Sequence, residues 1–143
     1  MTVQLLDKSH IDKITALYKK DFSDGWTEKM LLDAFDGGRF VCAGAFEDDK
    51  LIGVITCSKT VDDADIEGIV TDSDYRRKKV ATNLLDFVTD LFKQQGLEKL
   101  FLEVREFNNS AIAFYQSQGF EKISVRKKYY SNGENALIFV KGI

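Results

Sequence analysis

The stretch Ile69-Val70-Thr71-Asp72-Ser73-Asp74-Tyr75-Arg76-Arg77-Lys78-Lys79-Val80-Ala81-Thr82-Asn83-Leu84-Leu85 decides the fold of this chain. It begins as an apolar β-strand, passes through a basic loop and continues as a helix with an apolar stripe. The first turn of such a helix offers unpaired N–H groups and the positive end of its dipole to an anion. Four consecutive cations, Arg76 to Lys79, add to that attraction. The junction therefore predicts a phosphate site, and a solvated helix start with exposed basic side chains is the alternative.

Outward from this junction, apolar periodicity predicts the element order βααβββαβαββ. The strands are expected at 3–6, 40–46, 51–57, 66–71, 97–105, 120–127 and 136–141, and the helices at 7–20, from 27 to the glycines at 37–38, from 80 to the glycine at 96, and at 109–118. Hairpins imply antiparallel pairing, whereas strand–helix–strand units imply parallel crossovers. The predicted class is α/β (α+β), with a mixed sheet and helices on both faces.

Composition places the chain among globular proteins, and we expect one domain over residues 1–143. Apolar residues make up 44% and charged residues 30% of the sequence. No apolar run approaches the roughly 18 residues of a membrane span, and the N-terminus lacks the pattern of a signal peptide. These features predict a cytoplasmic protein with no membrane partner.

The basic cluster stands out against an acidic chain. The sequence has 20 basic and 23 acidic residues, and its net charge is −3. Without Arg76 to Lys79, 16 basic residues face 23 acidic ones, which leaves a charge of −7. A nucleic-acid-binding protein presents a broad basic face instead. The distribution indicates a local anion site and no direct nucleic-acid partner.

The cysteines and the single histidine favour no metal site. Cys42 and Cys57 lie in apolar runs without a Cys-x-x-Cys motif, and His10 is the only histidine. Buried free thiols are the expected state of both cysteines. Ser9 and Asp12 flank His10 as in a helix start opened by Ser9, so a solvated first-turn residue is favoured over a catalytic histidine.

Further segments carry a recognisable pattern beside Arg76-x-x-Lys79-x-Ala81. They are Leu102-Glu103-Val104-Arg105, Asn108, Ala111-x-x-Phe114-Tyr115-x-x-x-Gly119-Phe120, Arg126-Lys127-x-Tyr129-Tyr130 and Gly133-Glu134-Asn135-Ala136. Together they resemble the GNAT acetyltransferase superfamily, and in particular the bacterial ribosomal-protein-alanine N-acetyltransferases. Lys79 replaces the usual glycine of the Arg/Gln-x-x-Gly-x-Gly/Ala signature, Ser73 a frequent proline, and Asn135 a usual aspartate.

This resemblance implies a mostly antiparallel, twisted sheet with a central splayed pair of parallel strands. It also implies acetyl-CoA as cosubstrate, with no metal. The residues that it assigns to the cofactor are Ile69, Val70 and Thr71 for the pantetheine amides, Arg77, Lys78, Lys79, Val80, Ala81 and Thr82 around the pyrophosphate, and Asn108 for the cofactor arm. We expect ordinary helical dihedrals at Lys79, so that its Cβ is harmless and its ammonium attracts phosphate.

The resemblance further implies that Glu103 is the base and Tyr115 the acid, and the chemistry asks for both residue types. An amine attacks a thioester only when neutral, so a carboxylate must take its proton, and partial burial in the sheet would raise the pKa of Glu103 usefully. A phenol can protonate the departing thiolate. An ion pair of Glu103, with Arg105 or another cation, and a core role for Tyr115 are the alternatives. Glu67 is the alternative base.

The function that this resemblance implies is direct acetyl transfer to a primary amine. The preferred acceptor is a protein N-terminal α-amine, with the N-terminus of a ribosomal protein as the candidate partner. Trp26, Tyr129 and Tyr130 are candidates for lining the amine side, although aromatic residues there are equally typical of a core. A small amine such as a polyamine or amino acid is the competing acceptor. A non-catalytic CoA-binding module, with Lys79 as a sign of a decayed loop, is the competing class.

Overall fold

The computed structural model describes residues 1–21 and 25–143. Its helices and strands are β1 (Thr2–Leu5), α1 (Ile11–Asp21), α2 (Glu28–Asp36), β2 (Phe40–Glu47), β3 (Lys50–Lys59), β4 (Asp63–Thr71), α3 (Val80–Gln94), β5 (Lys99–Arg105), α4 (Asn109–Ser117), β6 (Glu121–Arg126) and β7 (Ala136–Gly142). The predicted order of helices and strands is confirmed. In the described ranges, no helix is both long and apolar enough to cross a membrane.

The strands form one mixed sheet in the order β1-β2-β3-β4-β5-β7-β6. The pairing of β4 with β5 is parallel, and the other neighbouring pairs are antiparallel. The long helix α3 connects β4 to β5, because two adjacent parallel strands require a crossover. The predicted mixed sheet with a central parallel pair is thus confirmed.

Helices cover both faces of the sheet, and each face has its own apolar core. On one face α3 and α4 pack against the sheet around the fully buried side chains of Phe92, Leu100 and Phe139. On the other face α1 and α2 pack around Ile14 and Leu31. Successive side chains of a strand point to opposite faces of the sheet, so neighbouring residues on a strand contribute to different cores.

Side-chain caps begin the helices where short polar residues precede an apolar stripe. Thr27 Oγ1 accepts the Met30 N–H at 3.2 Å, so Thr27 is the cap of α2. The prediction that Ser9 opens the first helix is wrong. Asp7 is the cap of a 3₁₀ turn that leads into α1, and the Asp7 N–H donates to His10 Nδ1 at 3.0 Å in a reciprocal capping box. The His10 side chain therefore caps the start of this helix.

The starts of β4 and β5 differ by two or more residues from the sequence prediction because tertiary pairing sets them. Strand β4 begins at Asp63, three residues before the predicted start, since Asp63 to Ile66 pair with neighbouring strands. Strand β5 begins at Lys99, two residues after the predicted start. Local hydrophobicity carries no signal for either boundary, because the deciding hydrogen bonds come from distant strands.

A β-bulge in β4 splays the parallel pair. Thr56 of β3 pairs with Gly68 and Cys57 pairs with Ile66, so Glu67 is the extra residue of the bulge. Parallel pairing of β4 with β5 ends at Ile66 and Leu102, whereas β4 continues beside β3 to Thr71. Strand β5 continues beside β7 to Arg105. A gap therefore opens between the two central strands beyond Ile66.

A buried carboxylate, that of Asp72, anchors the loop after β4 to helix α1. Asp72 is 1% exposed and accepts a hydrogen bond from Lys20 Nζ of α1 at 2.7 Å. Hydrogen bonds from Lys20 and from the Asp74 N–H hold the pKa of Asp72 below its usual range, against the opposing effect of burial. This anchor holds the start of the basic loop in place against α1 and the sheet.

Candidate active site

A cavity of about 620 Å³ opens where β4 meets the beginning of α3, and we call it the junction cavity. Eight of the ten residues predicted to hold the cofactor line it, namely Ile69, Val70, Thr71, Arg77, Lys79, Val80, Ala81 and Thr82. The remaining lining residues are Tyr75, Arg76, Ser110 and Phe114, of which the last two belong to α4. Folding thus gives the strand–loop–helix junction an apolar wall and a cationic rim.

Lys78 and Asn108, the other two predicted cofactor residues, lie outside this lining. Lys78 places its Nζ 5.2 Å from the centroid of the Tyr75 ring. Asn108 is the cap of α4, and its Oδ1 accepts the Ala111 N–H at 3.2 Å. In this structure, Lys78 contacts the cavity wall through Tyr75, and Asn108 fixes the start of the helix that supplies Ser110 and Phe114.

The basic loop has an unusual backbone. Arg77 and Lys79 have φ angles of 64° and 60°, in the left-handed region, and Lys78 between them lies outside that region. The prediction of ordinary helical dihedrals at Lys79 is wrong, because Lys79 caps α3 with φ 60° and ψ 27°. Arg76 has an extended backbone, and the chain turns sharply after it to enter α3. The left-handed residues Arg77 and Lys79 make that turn. Left-handed residues are one element of the backbone concavities that bind anions in proteins.

A second cavity, of about 410 Å³, lies at the gap between β4 and β5, and we call it the splay cavity. It is lined by Asp65, Ile66 and Glu67 of β4, by Phe101, Leu102 and Glu103 of β5, and by Arg126, Tyr130 and Ile138. Leu100, Leu102 and Val104 belong to the core beneath α3 and α4, which confirms the predicted alternation along β5. Glu103 therefore points to the opposite face, where this cavity opens.

Two carboxyl groups of the splay cavity have raised pKa values. Burial and, after it, the charge of Asp65 raise the pKa of Glu67, although much of the residue stays open to solvent. Burial and the charge of Asp63 raise the pKa of Asp65, and Arg126 acts in the opposite direction. In the described part of the chain, no three ligand-type side chains converge as they would around a metal ion. The raised pKa makes Glu67 a stronger proton acceptor than an ordinary glutamate.

Glu103 also lines the splay cavity, but its carboxylate is paired. Arg126 Nη1 lies 3.1 Å from Glu103 Oε1, and the Glu103 side chain is 33% exposed. Arg105, the neighbour on the same strand face, pairs instead with Glu134 at 3.5 Å. Glu103 therefore has an ion pair with a distant residue, and taking up a proton would cost it that pair.

Tyr115 packs beside the junction cavity rather than in its lining. Its ring centroid lies 5.3 Å from that of Phe114, which lines the cavity, and 5.7 Å from that of Phe120. Burial, with a smaller effect of the Cys57 charge, raises the pKa of Tyr115 to about 12. The phenol therefore keeps its proton throughout the neutral range.

The remaining residues that the sequence analysis singled out lie in different parts of the fold. The Trp26 ring lies 5.1 Å from the Phe40 ring at the edge of the core beneath α1 and α2. Tyr130 lines the splay cavity, and Tyr129 is 51% exposed beside Arg126. Both cysteines are free and buried, as predicted. Sequence reasoning missed Asp65 and Arg126, although an acidic residue two positions before Glu67 on a strand shares its face and was a usable signal for Asp65.

Comparison with known proteins assigns the family. The model of the Acetyltransferase (GNAT) family matches residues 11–120. The chain belongs to the GNAT acetyltransferase family. A ribosomal protein bS18-alanine N-acetyltransferase of Salmonella typhimurium is 26% identical over 133 residues, which span 93% of this chain and 89% of that protein. Its namesake in Haemophilus ducreyi is 30% identical over 117 residues, or 79% of this chain and 80% of that protein.

A solved structure extends this similarity to the fold. The crystal structure of the ribosomal-protein-S18-alanine N-acetyltransferase from Escherichia coli matches with a TM-score of 0.90 and 28% identity, and the match covers 99% of this chain and 93% of that chain. The resemblance seen in the sequence is thereby confirmed. This GNAT protein is an acetyl-CoA-dependent N-acetyltransferase.

The left-handed backbone at Lys79 predicts that Lys79→Gly stabilises this GNAT protein. A non-glycine residue in that region costs roughly 1–2 kcal/mol, and the greater freedom of glycine in the unfolded chain offsets about 0.4–1 kcal/mol of the relief. We expect the free energy of unfolding to rise by about 0.5–1 kcal/mol. Urea denaturation without cofactor measures it.

Lys78→Gly is the matched control for this measurement. It removes the same charge from the same loop at a residue outside the left-handed region. Here glycine adds freedom to the unfolded chain and removes the contact of Lys78 with Tyr75, so we expect a loss of about 0.5–1 kcal/mol. Equal destabilisation by the two substitutions would contradict the left-handed assignment.

Proposed function

We propose that this chain acetylates the N-terminal α-amine of a protein, of the ribosomal-protein-alanine type, and does so in the cytoplasm as one domain over residues 1–143. The observation that carries the proposal is the splay of β4 and β5, which places a cationic cavity and a carboxylate-lined cavity at the same gap. The similarity to two ribosomal protein bS18-alanine N-acetyltransferases over most of both chains supports this acceptor class.

The junction cavity fits the chemistry of acetyl-CoA, which supplies a thioester when bound. The start of α3 and the basic loop with its left-handed residues Arg77 and Lys79 line this cavity, and helix N–H groups together with neighbouring cations suit a pyrophosphate. The side chains of Ile69 and Phe114 give the apolar wall that a pantetheine arm requires. The free edge of β4 beyond Ile66 leaves backbone groups of Ile69 to Thr71 available for its amides. In the same role we retain Lys78, Val80, Ala81, Thr82 and Asn108, which complete the loop and the two helix starts.

Glu67 is the proposed proton acceptor. An attacking α-amine with a pKa near 7.7–8.0 is mostly protonated at pH 7, so a carboxylate must remove its proton directly or through water. Glu67 has a raised pKa and lies at the bulge where the gap opens. Glu103, the base implied by the sequence resemblance, would have to give up Arg126 to do the same work. We therefore assign Glu103 to holding Arg126 in the splay cavity.

Tyr115 is the proposed donor to the departing sulfur. Its raised pKa keeps the hydroxyl protonated at neutral pH, and its ring is fixed between Phe114 and Phe120. A thiolate leaves more readily when a donor neutralises its developing charge. Tyr115 packs against Phe114, which lines the junction cavity, so the proposed donor would approach the sulfur from beside that residue.

The acceptor class is tested by measuring thiol release from acetyl-CoA with matched substrates. We expect turnover with peptides that begin with a free alanine, and none with the same peptides blocked at the N-terminus, because only a free amine can attack. Spermidine and free amino acids serve as small-amine competitors. Fast turnover of a small amine without any peptide turnover would overturn the protein-acceptor proposal, and no turnover with any amine would favour a regulatory CoA-binding module.

The base is tested by the pH dependence of kcat/KM for Glu67→Gln. The wild-type value should rise with pH as Glu67 loses its proton, and the raised pKa of Glu67 places that rise above the range of an ordinary glutamate. In Glu67→Gln we expect a loss of about 10²-fold or more near pH 7, which shrinks at high pH where the amine is already neutral.

Glu103→Gln provides the comparison, since it changes another carboxyl group of the same cavity. We expect it to keep the rising pH limb and to alter mainly the KM of the acceptor, because it loosens Arg126. If Glu103→Gln flattens the limb and Glu67→Gln does not, the roles of the two glutamates are reversed.

The donor is tested by Tyr115→Phe, which removes only a hydroxyl. We expect kcat to fall by about 10²–10⁴-fold, while the acetyl-CoA dissociation constant and the midpoint of thermal unfolding stay near their wild-type values. Isothermal titration and steady-state kinetics measure these quantities. A folded variant with normal kcat would return Tyr115 to a purely structural role in the core.

A further inference from the structure

The loop between β6 and β7, residues 127–135, closes one side of the splay cavity. Its Tyr130 lines that cavity together with Arg126, the last residue of β6. Tyr130 is partly buried, and its pKa is raised by burial first and then by the charge of Glu103. The loop therefore contributes a side chain that faces the carboxylates of the proposed acceptor site.

A side-chain clasp between Glu106 and Asn135 ties this loop to the end of β5. Asn135 Nδ2 donates to Glu106 Oε2 at 2.9 Å, and the Asn135 N–H donates to Glu106 Oε1 at 3.3 Å. The backbone completes the ring, because the Glu106 N–H donates to the Asn135 carbonyl at 3.1 Å. Asn135 Oδ1 also accepts a hydrogen bond from the Lys128 N–H at 2.8 Å, and this bond links the two ends of the loop.

Arg105 fastens the same loop at a second point. Its guanidinium carbon lies 4.0 Å from the centroid of the Tyr130 ring, and its Nη1 lies 3.5 Å from a carboxylate oxygen of Glu134. Arg105 and Glu106 follow closely after Glu103 along the chain. The segment that places Glu103 in the splay cavity is thus the segment that holds the loop carrying Tyr130.

The chemistry of the clasp requires a neutral amide at position 135. An asparagine amide donates through nitrogen and accepts through oxygen at the same time, and both roles are used here. An ionised aspartate could still accept from Lys128 but could not donate to Glu106, and two carboxylates would then face each other. The identity of residue 106 therefore constrains the identity of residue 135.

We propose that Glu106 and Asn135 are positioning residues that hold Tyr130 as a wall of the acceptor site, so that the acceptor binds to a preformed cavity. This inference rests on the proposed function for the location of the acceptor. The clasp acts on acceptor binding and lies away from the junction cavity, so acetyl-CoA binding is independent of it.

The test compares Asn135→Asp with the double variant Glu106→Gln/Asn135→Asp, with any amine acceptor that the wild type acetylates. Asn135→Asp should raise the KM of the acceptor about tenfold through loss of a charge-assisted hydrogen bond, with the KM of acetyl-CoA unchanged. The double variant reverses donor and acceptor, because the amide introduced at position 106 donates to the carboxylate introduced at position 135. It should restore the acceptor KM to within about twofold. Ser131→Asp adds the same charge at an exposed position of the same loop and should leave both KM values unchanged.

Amide hydrogen exchange provides a readout that does not depend on catalysis. The N–H groups of Glu106 and Lys128 should exchange faster in Asn135→Asp and return to wild-type rates in the double variant. An unchanged acceptor KM in Asn135→Asp, a parallel rise in both KM values, or a double variant that fails to recover would overturn the clasp. A wild type that acetylates a small amine and no peptide would overturn the proposed acceptor class alone, since the exchange rates and the KM of that amine still test the clasp.

Discussion

The splay of two parallel strands is the constraint on which the site depends. Adjacent parallel strands normally exchange hydrogen bonds along their whole length, and a buried backbone group without a partner costs about as much as a lost hydrogen bond. Here β4 has an extra residue, Glu67, and stays paired with β3 on both sides of this bulge. Strand β5 stays paired with β7 without a register shift. The gap beyond Ile66 and Leu102 is stable because each strand keeps its other neighbour. It leaves one edge of β4 open to a ligand and gives both cavities their position.

The charge distribution around the gap suits the two partners of an acetyl transfer. The junction cavity combines left-handed backbone with the cations of its basic loop, an environment for phosphate. The splay cavity contains Asp65, Glu67 and Glu103 against Arg126, an acidic environment that suits the amine of the proposed acceptor. Burial and carboxylate repulsion raise the pKa values of Asp65 and Glu67, while Arg126 is held by Glu103.

Two departures from the family pattern have different physical consequences. Lys79 has a left-handed backbone, which glycine adopts without cost, so the backbone strain of a left-handed non-glycine residue falls on Lys79. Asn135 stands where an aspartate is usual, and it is matched by Glu106, which accepts a hydrogen bond from its amide. The first departure is expected to lower stability, whereas the second is matched by a hydrogen-bond partner outside the loop, Glu106. Neither indicates a decayed site.

The sequence by itself determined the order of the elements, the central parallel crossover, and the junction that lines one cavity. These follow from local periodicity, turn residues and helix-start chemistry, which act over a few neighbouring residues. Only the tertiary structure decided which cap serves the first helix, where β4 begins, that Lys79 is left-handed, and that Arg126 rather than Arg105 pairs with Glu103. Each of these depends on a partner from a distant segment or on the path that the chain must take between packed elements. Local sequence patterns carry no information about such partners, because the pairing of the whole sheet decides which distant residues lie close together.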